Sequence, residues 1–197
     1  MCGIAGLLAP GLPPETLAER ARAMAASLAH RGPDSRGIWT DDAGGLGFAH
    51  TRLAIVDLSP AGHQPMVSSC GRYVIAYNGE SYNDAEMRAA LPPHNWRGRS
   101  DTETILETCA RFGVEETARR LNAMAAFALW DIQERRLWLV RDRVGIKPVY
   151  YGQFPGLFLF GSELKALRAI PGWTPELDPA VRAAYLRWGY VPGQHAI

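Results

Sequence analysis

Apolar residues recur along the chain in short blocks that are typical of buried or half-buried β-strands. Some blocks are continuous and others alternate with polar residues, as expected for strands with one or both faces covered. The predicted strands comprise residues 2–9, 45–57 (one or two strands), 73–79, 125–132, 136–142, 148–153 and 157–161. Only residues 133–135 separate two of these strands, which are therefore expected to form a hairpin.

Helical spacing of apolar residues appears in fewer segments. The apolar face of a helix predicted over residues 14–29 is formed by Leu17, Ala21, Met24 and Leu28. Ser100 and Glu103 form a capping box, which predicts a helix from there to about Phe112. Two more helices are predicted near residues 163–169 and 179–188.

Glycine, proline and asparagine mark the connections between these elements. Residues 31–37 and 58–72 are predicted to be loops, because they are rich in residues that break regular structure. The strand over residues 73–79 is expected to end in a turn at Asn78-Gly79. Since the strands follow one another mostly as hairpins, the predicted fold class is α+β, with largely antiparallel sheets and helices packed outside them.

Composition and charge restrict the possible functions. The 197 residues, of which 47% are hydrophobic, suffice for one domain with a buried core and a short tail. The net charge of +1 argues against nucleic acid or an anionic membrane as main partner, and no apolar run could span a bilayer. Three widely spaced cysteines without a Cys-x-x-Cys pair predict neither a disulfide framework nor a metal site. With no signal peptide apparent, the expected location is the cytoplasm.

The second residue carries the strongest chemical signal in the sequence. Removal of Met1, which a small second side chain favours, would give Cys2 both a thiol nucleophile and a free α-amine. An α-amine titrates at about 7.7–8.0, which suits a general base near neutral pH. The alternative is that Cys2 is a small buried hydrophobe at the start of a strand.

A cysteine amidase also needs hydrogen-bond donors for the tetrahedral oxyanion, and Asn78-Gly79 can supply them. The Asn78 carboxamide offers N–H groups, and the Gly79 amide is accessible because no Cβ blocks a close approach. The alternative is that this Asn-Gly pair is only a turn.

Charged residues near these segments fit the two ends of an α-amino acid. Arg52 lies in the apolar segment HTRLAIVD and could hold a carboxylate, although it could instead pair with Asp57 at a strand edge. Glu80 and Asp101 could jointly hold an ammonium group, although Asp101 could also simply complement the helix dipole. An amide-cleaving cysteine beside such a site suggests glutamine as the substrate.

Longer segments carry a family resemblance that covers the chain nearly end to end. These segments are MCGIAG, HRGPDSRG, HTRLAIVDLSPAGHQPM, YNGESYN, SDTETIL, RDRVGIKPVYY and SELKAL. On them the sequence resembles the N-terminal glutaminase domain of glutamine-hydrolysing asparagine synthetases, which are class II glutamine amidotransferases of the N-terminal nucleophile (Ntn) hydrolase type. Ser81, Ala123 and Ala125 depart modestly from the usual family pattern.

The resemblance implies a four-layer αββα sandwich with the nucleophile at the N-terminus of an inner strand. The catalytic residues that it implies are Cys2, whose own amine is the base, and Asn78 and Gly79, which form the oxyanion hole. The glutamine-binding residues that it implies are Arg52 for the α-carboxylate, the backbone of Leu53, Ile55 and Val56 for the pocket wall, and Glu80 and Asp101 for the α-ammonium. The loop from His30 to Asp34 is expected near the site without an assigned chemical role.

The same resemblance divides the chain into a glutaminase domain at residues 2–170 and the start of a linker and synthetase domain at residues 171–197. No cofactor is expected in this chain, because the SGGxDS pyrophosphate loop of the synthetase domain is not in the sequence. We expect a fragment that releases ammonia from L-glutamine. The full enzyme, with ATP and Mg in its synthetase domain, is expected to make asparagine from aspartate and to be able to form a homodimer. Two alternatives stay open, namely another carboxylate acceptor, on a natural product or polysaccharide, and a non-catalytic glutamine-binding module.

Overall fold

The computed structural model describes residues 1–173 and 178–191, and two antiparallel sheets form its centre. The strands are β1 (Gly3–Leu8), β2 (Ser35–Asp41), β3 (Leu46–Arg52), β4 (Met66–Val67), β5 (Tyr73–Ser81), β6 (Ala123–Asp131), β7 (Arg136–Arg141), β8 (Tyr150–Phe154) and β9 (Leu157–Gly161). The helices are α1 (Pro14–Ser27), α2 (Asp84–Ala89), α3 (Asp101–Phe112), α4 (Val114–Arg120), α5 (Leu164–Arg168) and α6 (Pro179–Trp188).

The sheets and helices form four layers. One sheet has the strand order β2-β3-β1-β9-β8 and the other has the order β4-β5-β6-β7, and neighbouring strands in both are antiparallel. Helices α1 and α5 pack against the outer face of the first sheet, and α3 packs against the outer face of the second. The predicted αββα sandwich is therefore confirmed.

Aromatic side chains fill the space between the two sheets. Phe48, Trp130 and Phe160 are almost completely buried there, and the rings of Phe48 and Phe160 meet edge to face with centroids 5.8 Å apart. Each such buried side chain contributes about 1.5–3 kcal/mol relative to an exposed one. The Trp130 indole N–H donates to a carboxylate oxygen of Asp41 at 2.8 Å, so this hydrogen bond joins the two sheets.

The central position of β1 and β5 determines where the site can form. β1 lies in the middle of the first sheet, with Cys2 immediately before it. β5 lies in the interior of the second sheet and packs against β1 and β3 across the sandwich. The end of β5 that carries Asn78 and Gly79 therefore lies beside the start of β1.

The structure corrects two sequence-based predictions near that end of the sandwich. Asn78-Gly79 is not a turn, because β5 continues to Ser81, and both residues pair with β6, at Ala126 and Ala125 respectively. The loop predicted over 31–37 ends early, since β2 begins at Ser35. Strand β2 was missed because the Gly-Pro-Asp sequence just before it gives a strong loop signal.

Smaller differences concern the ends of other elements. The strand predicted over 45–57 ends at Arg52, and the short elements β4, α2 and α4 were not predicted. Ser100 caps α3 as predicted, since its hydroxyl accepts from the Thr102 N–H at 3.2 Å. The other half of the capping box does not form, because Glu103 instead accepts from the backbone N–H groups of Arg97 and Gly98.

The last predicted helix is confirmed by α6 at Pro179–Trp188. The predicted domain boundary between residues 170 and 171 stays a prediction, and residues 174–177 and 192–197 lie outside the described part of the chain. Over the ranges 1–173 and 178–191, helices that are both long and apolar enough to cross a membrane are absent.

Candidate active site

The thiol of Cys2 is held at the start of β1 by the segment that follows β3. The Leu53 N–H donates to Cys2 Sγ at 3.4 Å, and the thiol lies 3.6 Å from the Leu53 carbonyl oxygen. Arg31 fixes the backbone on the other side, donating from Nε to the Cys2 carbonyl at 3.0 Å. Burial raises the pKa of the Cys2 thiol above its ordinary value, against the lowering effects of the Leu53 N–H and nearby positive charge. The thiol therefore needs a base to become a nucleophile.

Met1 covers the group that could be this base. While Met1 is attached, the Cys2 nitrogen is a peptide amide and cannot accept a proton. The Met1 sulfur lies 3.5 Å from Lys147 Nζ and 4.0 Å from Arg31 Nη2, so its side chain is held between two cations. Met1 as a whole is nevertheless 56% exposed, and it forms no part of β1.

A cavity of about 200 Å³ opens beside Cys2 and brings every predicted site residue together. Its walls include Cys2, Arg52, Leu53, Ile55, Val56, Asn78, Gly79, Glu80 and Asp101. Leu53 to Val56 follow β3, Asn78 to Glu80 belong to β5, and Asp101 begins α3. The roles of these residues stay predictions. The structure adds that three segments far apart in the sequence share one cavity with Cys2.

Asn78 presents an unused donor in the wall of this cavity, and Gly79 beside it leaves no room for a side chain. Asn78 is 2% exposed, and its amide nitrogen Nδ2 has no hydrogen-bond partner among the described residues. A buried donor without an acceptor is costly, which is expected where a ligand supplies the acceptor. A Cβ at Gly79 would collide with the Met124 carbonyl oxygen and lie 2.7 Å from the Tyr77 hydroxyl, so glycine is the residue that fits.

Arg52 is anchored by the loop that follows it. Its guanidinium donates to the carbonyl oxygen of Ser59 at 2.9 Å and to that of Asp57. The Asp57 carboxylate accepts from Ser59 and from the Arg99 N–H at 2.7 Å, so the predicted alternative of an Arg52–Asp57 side-chain pair is wrong. Since a guanidinium has five N–H donors, Arg52 keeps donors for a carboxylate in the cavity.

Asp101 and Glu80 supply the negative side of the cavity. Asp101 is 8% exposed, and its Oδ2 accepts from the Tyr77 hydroxyl at 3.0 Å and from the Ser81 N–H at 2.9 Å. Burial raises the pKa of Asp101, and these two hydrogen bonds act in the opposite direction. Glu80 is exposed at the mouth of the cavity, as are Ile55 and Val56.

Sequence reasoning missed two residues that hold the backbone of Tyr77, directly before Asn78. Gln64 accepts from the Tyr77 N–H at 2.6 Å and donates to the Thr102 hydroxyl at 3.1 Å, which links β5 to α3. His50 Nε2 lies 3.1 Å from the Tyr77 carbonyl oxygen and must donate to it, because a carbonyl only accepts. Burial lowers the pKa of His50 to about 4, so the ring is neutral near pH 7. A polar residue at an inward-facing strand position was the available signal for His50.

The loop between His30 and Asp34 lies next to the site, as expected. Arg31, besides contacting Cys2, donates to Glu163 at 2.8 Å. His30 contacts the same carboxylate at 2.9 Å, and Asp34 accepts from the Ala54 N–H at 2.7 Å. These contacts connect the loop to α5 and to the cavity wall.

A cysteine at the second position of an αββα sandwich, beside a cavity lined by both cationic and anionic side chains, is the arrangement expected of a glutamine amidotransferase domain. The chain belongs to the glutamine amidotransferase domain family, which matches residues 1–197. In fold it is similar to the glutamine phosphoribosylpyrophosphate amidotransferase of Bacillus subtilis, with a TM-score of 0.69 and 18% identity. That similarity covers 85% of this chain and 43% of the other.

Relatives with higher sequence identity are asparagine synthetases, and they confirm the resemblance found in the sequence. The chain is 38% identical over 159 residues to asparagine synthetase [glutamine-hydrolyzing] 3 of Bacillus subtilis, covering 79% of this chain and 25% of that protein. It is 32% identical to putative asparagine synthetase [glutamine-hydrolyzing] 2 of Methanocaldococcus jannaschii, covering 100% of this chain and 41% of that protein. The chain thus spans less than half the length of these relatives.

Proposed function

We propose that this chain hydrolyses the side-chain amide of L-glutamine to glutamate and ammonia, with Cys2 as the nucleophile after Met1 has been removed. The observation that carries the proposal is the shared cavity. The Cys2 thiol lines it together with Arg52, Glu80, Asp101 and the Asn78 amide nitrogen, which has no hydrogen-bond partner within residues 1–173 and 178–191. This arrangement matches an α-amino acid that carries an amide.

The charged groups orient the substrate before reaction. Arg52 holds the glutamine α-carboxylate against the backbone of residues 53–56, while Asp101 and Glu80 hold its α-ammonium. The side chain then points its amide toward Cys2. Holding both ends in this way converts the attack into an effectively intramolecular step.

The reaction proceeds through a thioester. The free Cys2 amine takes the thiol proton, and the sulfur attacks the amide carbon, while Asn78 Nδ2 and the Gly79 N–H stabilise the oxyanion. The amine returns the proton to the leaving nitrogen, and ammonia departs as the tetrahedral intermediate collapses to a γ-glutamyl thioester. A water molecule, deprotonated by the same amine, then releases glutamate and restores the thiol.

We propose further that the ammonia serves an acceptor bound by another domain of a longer protein. The names of the relatives support asparagine as the product. From the family resemblance of the sequence we take aspartate as the acceptor, with ATP and Mg bound in that other domain. The other acceptor class, a carboxylate on a natural product or polysaccharide, stays open in this proposal. The three free cysteines support a cytoplasmic location, and a homodimer of the full enzyme stays part of the proposal.

Glutaminase assays on protein whose intact mass shows that it begins at Cys2 test the proposal. Cys2→Ala should reduce glutamate release by at least about a thousandfold, because the nucleophile is lost. Cys70→Ala is the matched control, because Cys70 is exposed and lies outside the cavity, and it should keep full activity. Hydroxylamine should trap the thioester as γ-glutamyl hydroxamate.

Two results would contradict the proposal. Near-normal activity in Cys2→Ala would exclude Cys2 as the nucleophile. Tight glutamine binding without turnover, in protein confirmed to begin at Cys2, would instead indicate a non-catalytic binding module. Asparagine production by the full-length protein from aspartate, ATP and glutamine would separate the two acceptor classes.

A further inference from the structure

The Tyr77 side chain connects the two halves of the candidate site. Tyr77 lies on β5 directly before Asn78, is 2% exposed, and packs its ring near Phe127. Its hydroxyl donates to Asp101 Oδ2 at 3.0 Å. The absence of a Cβ at Gly79 is what leaves room for this hydroxyl, because a Cβ there would lie 2.7 Å from it.

The hydrogen bonds from β5 to Asp101 use one carboxylate oxygen. The Ser81 N–H donates to Oδ2 at 2.9 Å, so Tyr77 and Ser81 both bind the same atom. The other oxygen, Oδ1, is then the one available to a ligand in the cavity that Asp101 lines. Two donors from one strand also fix the plane of the carboxylate, since its rotation would break at least one of them.

The hydroxyl also favours the ionised form of Asp101. Burial raises the pKa of Tyr77, so its hydroxyl stays protonated and can donate near neutral pH. Burial and the nearby charge of Asp84 raise the pKa of Asp101, whereas the Ser81 N–H and the Tyr77 hydroxyl lower it. Without the hydroxyl, Asp101 would bind a proton at higher pH and would no longer attract a cation.

Several other charged groups face the same cavity and bear on this balance. Glu80 follows on β5, and Arg52 and Lys147 lie on other walls. On α2, Asp84 Oδ2 lies 3.4 Å from Arg88 Nε, and the positive charge of Arg88 partly compensates the negative charge of Asp84. These groups are unchanged when the Tyr77 oxygen alone is removed, so a Tyr77→Phe variant isolates the effect of one hydrogen bond.

We propose that Tyr77 is a positioning residue whose hydroxyl orients the Asp101 carboxylate toward the substrate α-ammonium, and that it thereby selects α-amino acids over amides that lack this group. The proposal rests on the proposed glutaminase function and names a determinant of its substrate selectivity. Tyr77 acts through Asp101 and needs no contact with the reacting atoms. Its contribution should therefore appear in KM for glutamine more than in kcat.

Steady-state assays of Tyr77→Phe with two substrates test this proposal. One substrate is L-glutamine, and the other is glutaramate, which has the same carboxylate and side-chain amide but no α-ammonium. We expect KM for glutamine to rise about tenfold, as for loss of a hydrogen bond to a charged group, with kcat changed less than about twofold. The kcat/KM for glutaramate should change less than about twofold, since that substrate does not use Asp101.

The pH dependence provides a second readout. In the wild type, KM for glutamine should rise as the pH falls through the pKa of Asp101, and in Tyr77→Phe the rise should begin at higher pH. Tyr73→Phe is the matched control, because Tyr73 is also largely buried on β5 but does not line the cavity. It should leave both KM values and their pH dependence as in the wild type.

Calorimetric binding to Cys2→Ala separates this proposal from the glutaminase proposal. Tyr77→Phe on that background should weaken glutamine binding about tenfold and leave glutaramate binding unchanged. Equal weakening of both ligands, or a fall in kcat at unchanged KM, would overturn the role of Tyr77. Absence of turnover in the wild type, with the binding difference intact, would overturn the glutaminase proposal and support the role of Tyr77.

Discussion

Substitution of Gly79 by alanine tests how tightly the proposed oxyanion hole is held. The added Cβ would collide with the Met124 carbonyl oxygen on β6 and lie 2.7 Å from the Tyr77 hydroxyl. The carbonyl belongs to the paired strand backbone and cannot rotate away as a side chain would. Relief of this contact therefore requires β5 to move relative to β6 at the pair Gly79–Ala125.

This displacement of β5 should lower both the stability of the protein and its kcat. Overpacking of a well-packed site costs about 1–3 kcal/mol, and each kcal/mol lowers Tm by about 2–4 °C in a protein of this size. A shift of about 1 Å in the Gly79 amide also misplaces an oxyanion donor, which costs about 10²–10³ in kcat. Gly79→Ala should thus remain folded at 25 °C and yet lose at least about a hundredfold in glutaminase kcat.

The assay compares kcat and Tm in protein that begins at Cys2, with Gly152→Ala as the control. Gly152 lies on β8, where a Cβ would meet only the flexible Phe154 ring at 3.0 Å, so full activity is expected. If Gly79→Ala kept more than about a tenth of the wild-type kcat, the Gly79 amide would not be a catalytic donor of the kind inferred.

Three further predictions concern stability and thiol reactivity. Hydrogen bonds from Arg31, His30 and Lys165 outweigh the effect of burial and hold the pKa of Glu163 at about 2, below its ordinary value of 4.5. The ionised Glu163 carboxylate therefore stabilises the folded protein fully above pH 4.5, and this stabilisation is lost as the pH falls toward 2. In urea titrations, the free energy of unfolding of Glu163→Gln should be about 1 kcal/mol below that of the wild type at pH 7 and equal to it near pH 2. Asp41→Ala leaves the buried Trp130 N–H without its acceptor and should lower the free energy of unfolding by about 1–3 kcal/mol, measured by thermal denaturation. A wild-type Tm would contradict that reasoning. Iodoacetamide should label exposed Cys70 in the native protein but spare Cys109, because burial raises the pKa of the Cys109 thiol to about 12. Peptide mass mapping assigns the labels among the three free cysteines, and early labelling of Cys109 would show that α3 opens locally.

The contrast between Asn78-Gly79 and Cys2 shows which parts of the site the sequence alone could predict. The place of Cys2 beside the cavity could be predicted because the role proposed for it depends only on its position at the start of the chain. For Asn78-Gly79 the donor role stays a prediction, whereas the predicted turn is wrong, since pairing with β6 overrides the turn preference of the dipeptide. The turn preference of a dipeptide has little influence on its structure where the strand that contains it is paired along its full length.

Residues that act through another residue were the hardest to predict. Gln64 and Tyr77 lie 13 positions apart and meet only because β5 passes the loop that precedes β4. The hydroxyl of Tyr77 reaches Asp101 across 24 positions, at the first residue of a separate helix. Their side chains carry no signal of their own, because tyrosine and glutamine are ordinary in such segments, and only the topology brings them together.

The exposed position of Met1 has a practical consequence for anyone who expresses this protein. Because Met1 lies outside β1 and is 56% exposed, we expect that a purification tag placed before it can be accommodated without disturbing either sheet. Under the proposed mechanism, however, such a fusion is a zymogen, since the Cys2 nitrogen stays in a peptide bond. A correctly folded, tagged protein would then be inactive in the glutaminase assay, and cleavage by a protease immediately before Cys2 would activate it.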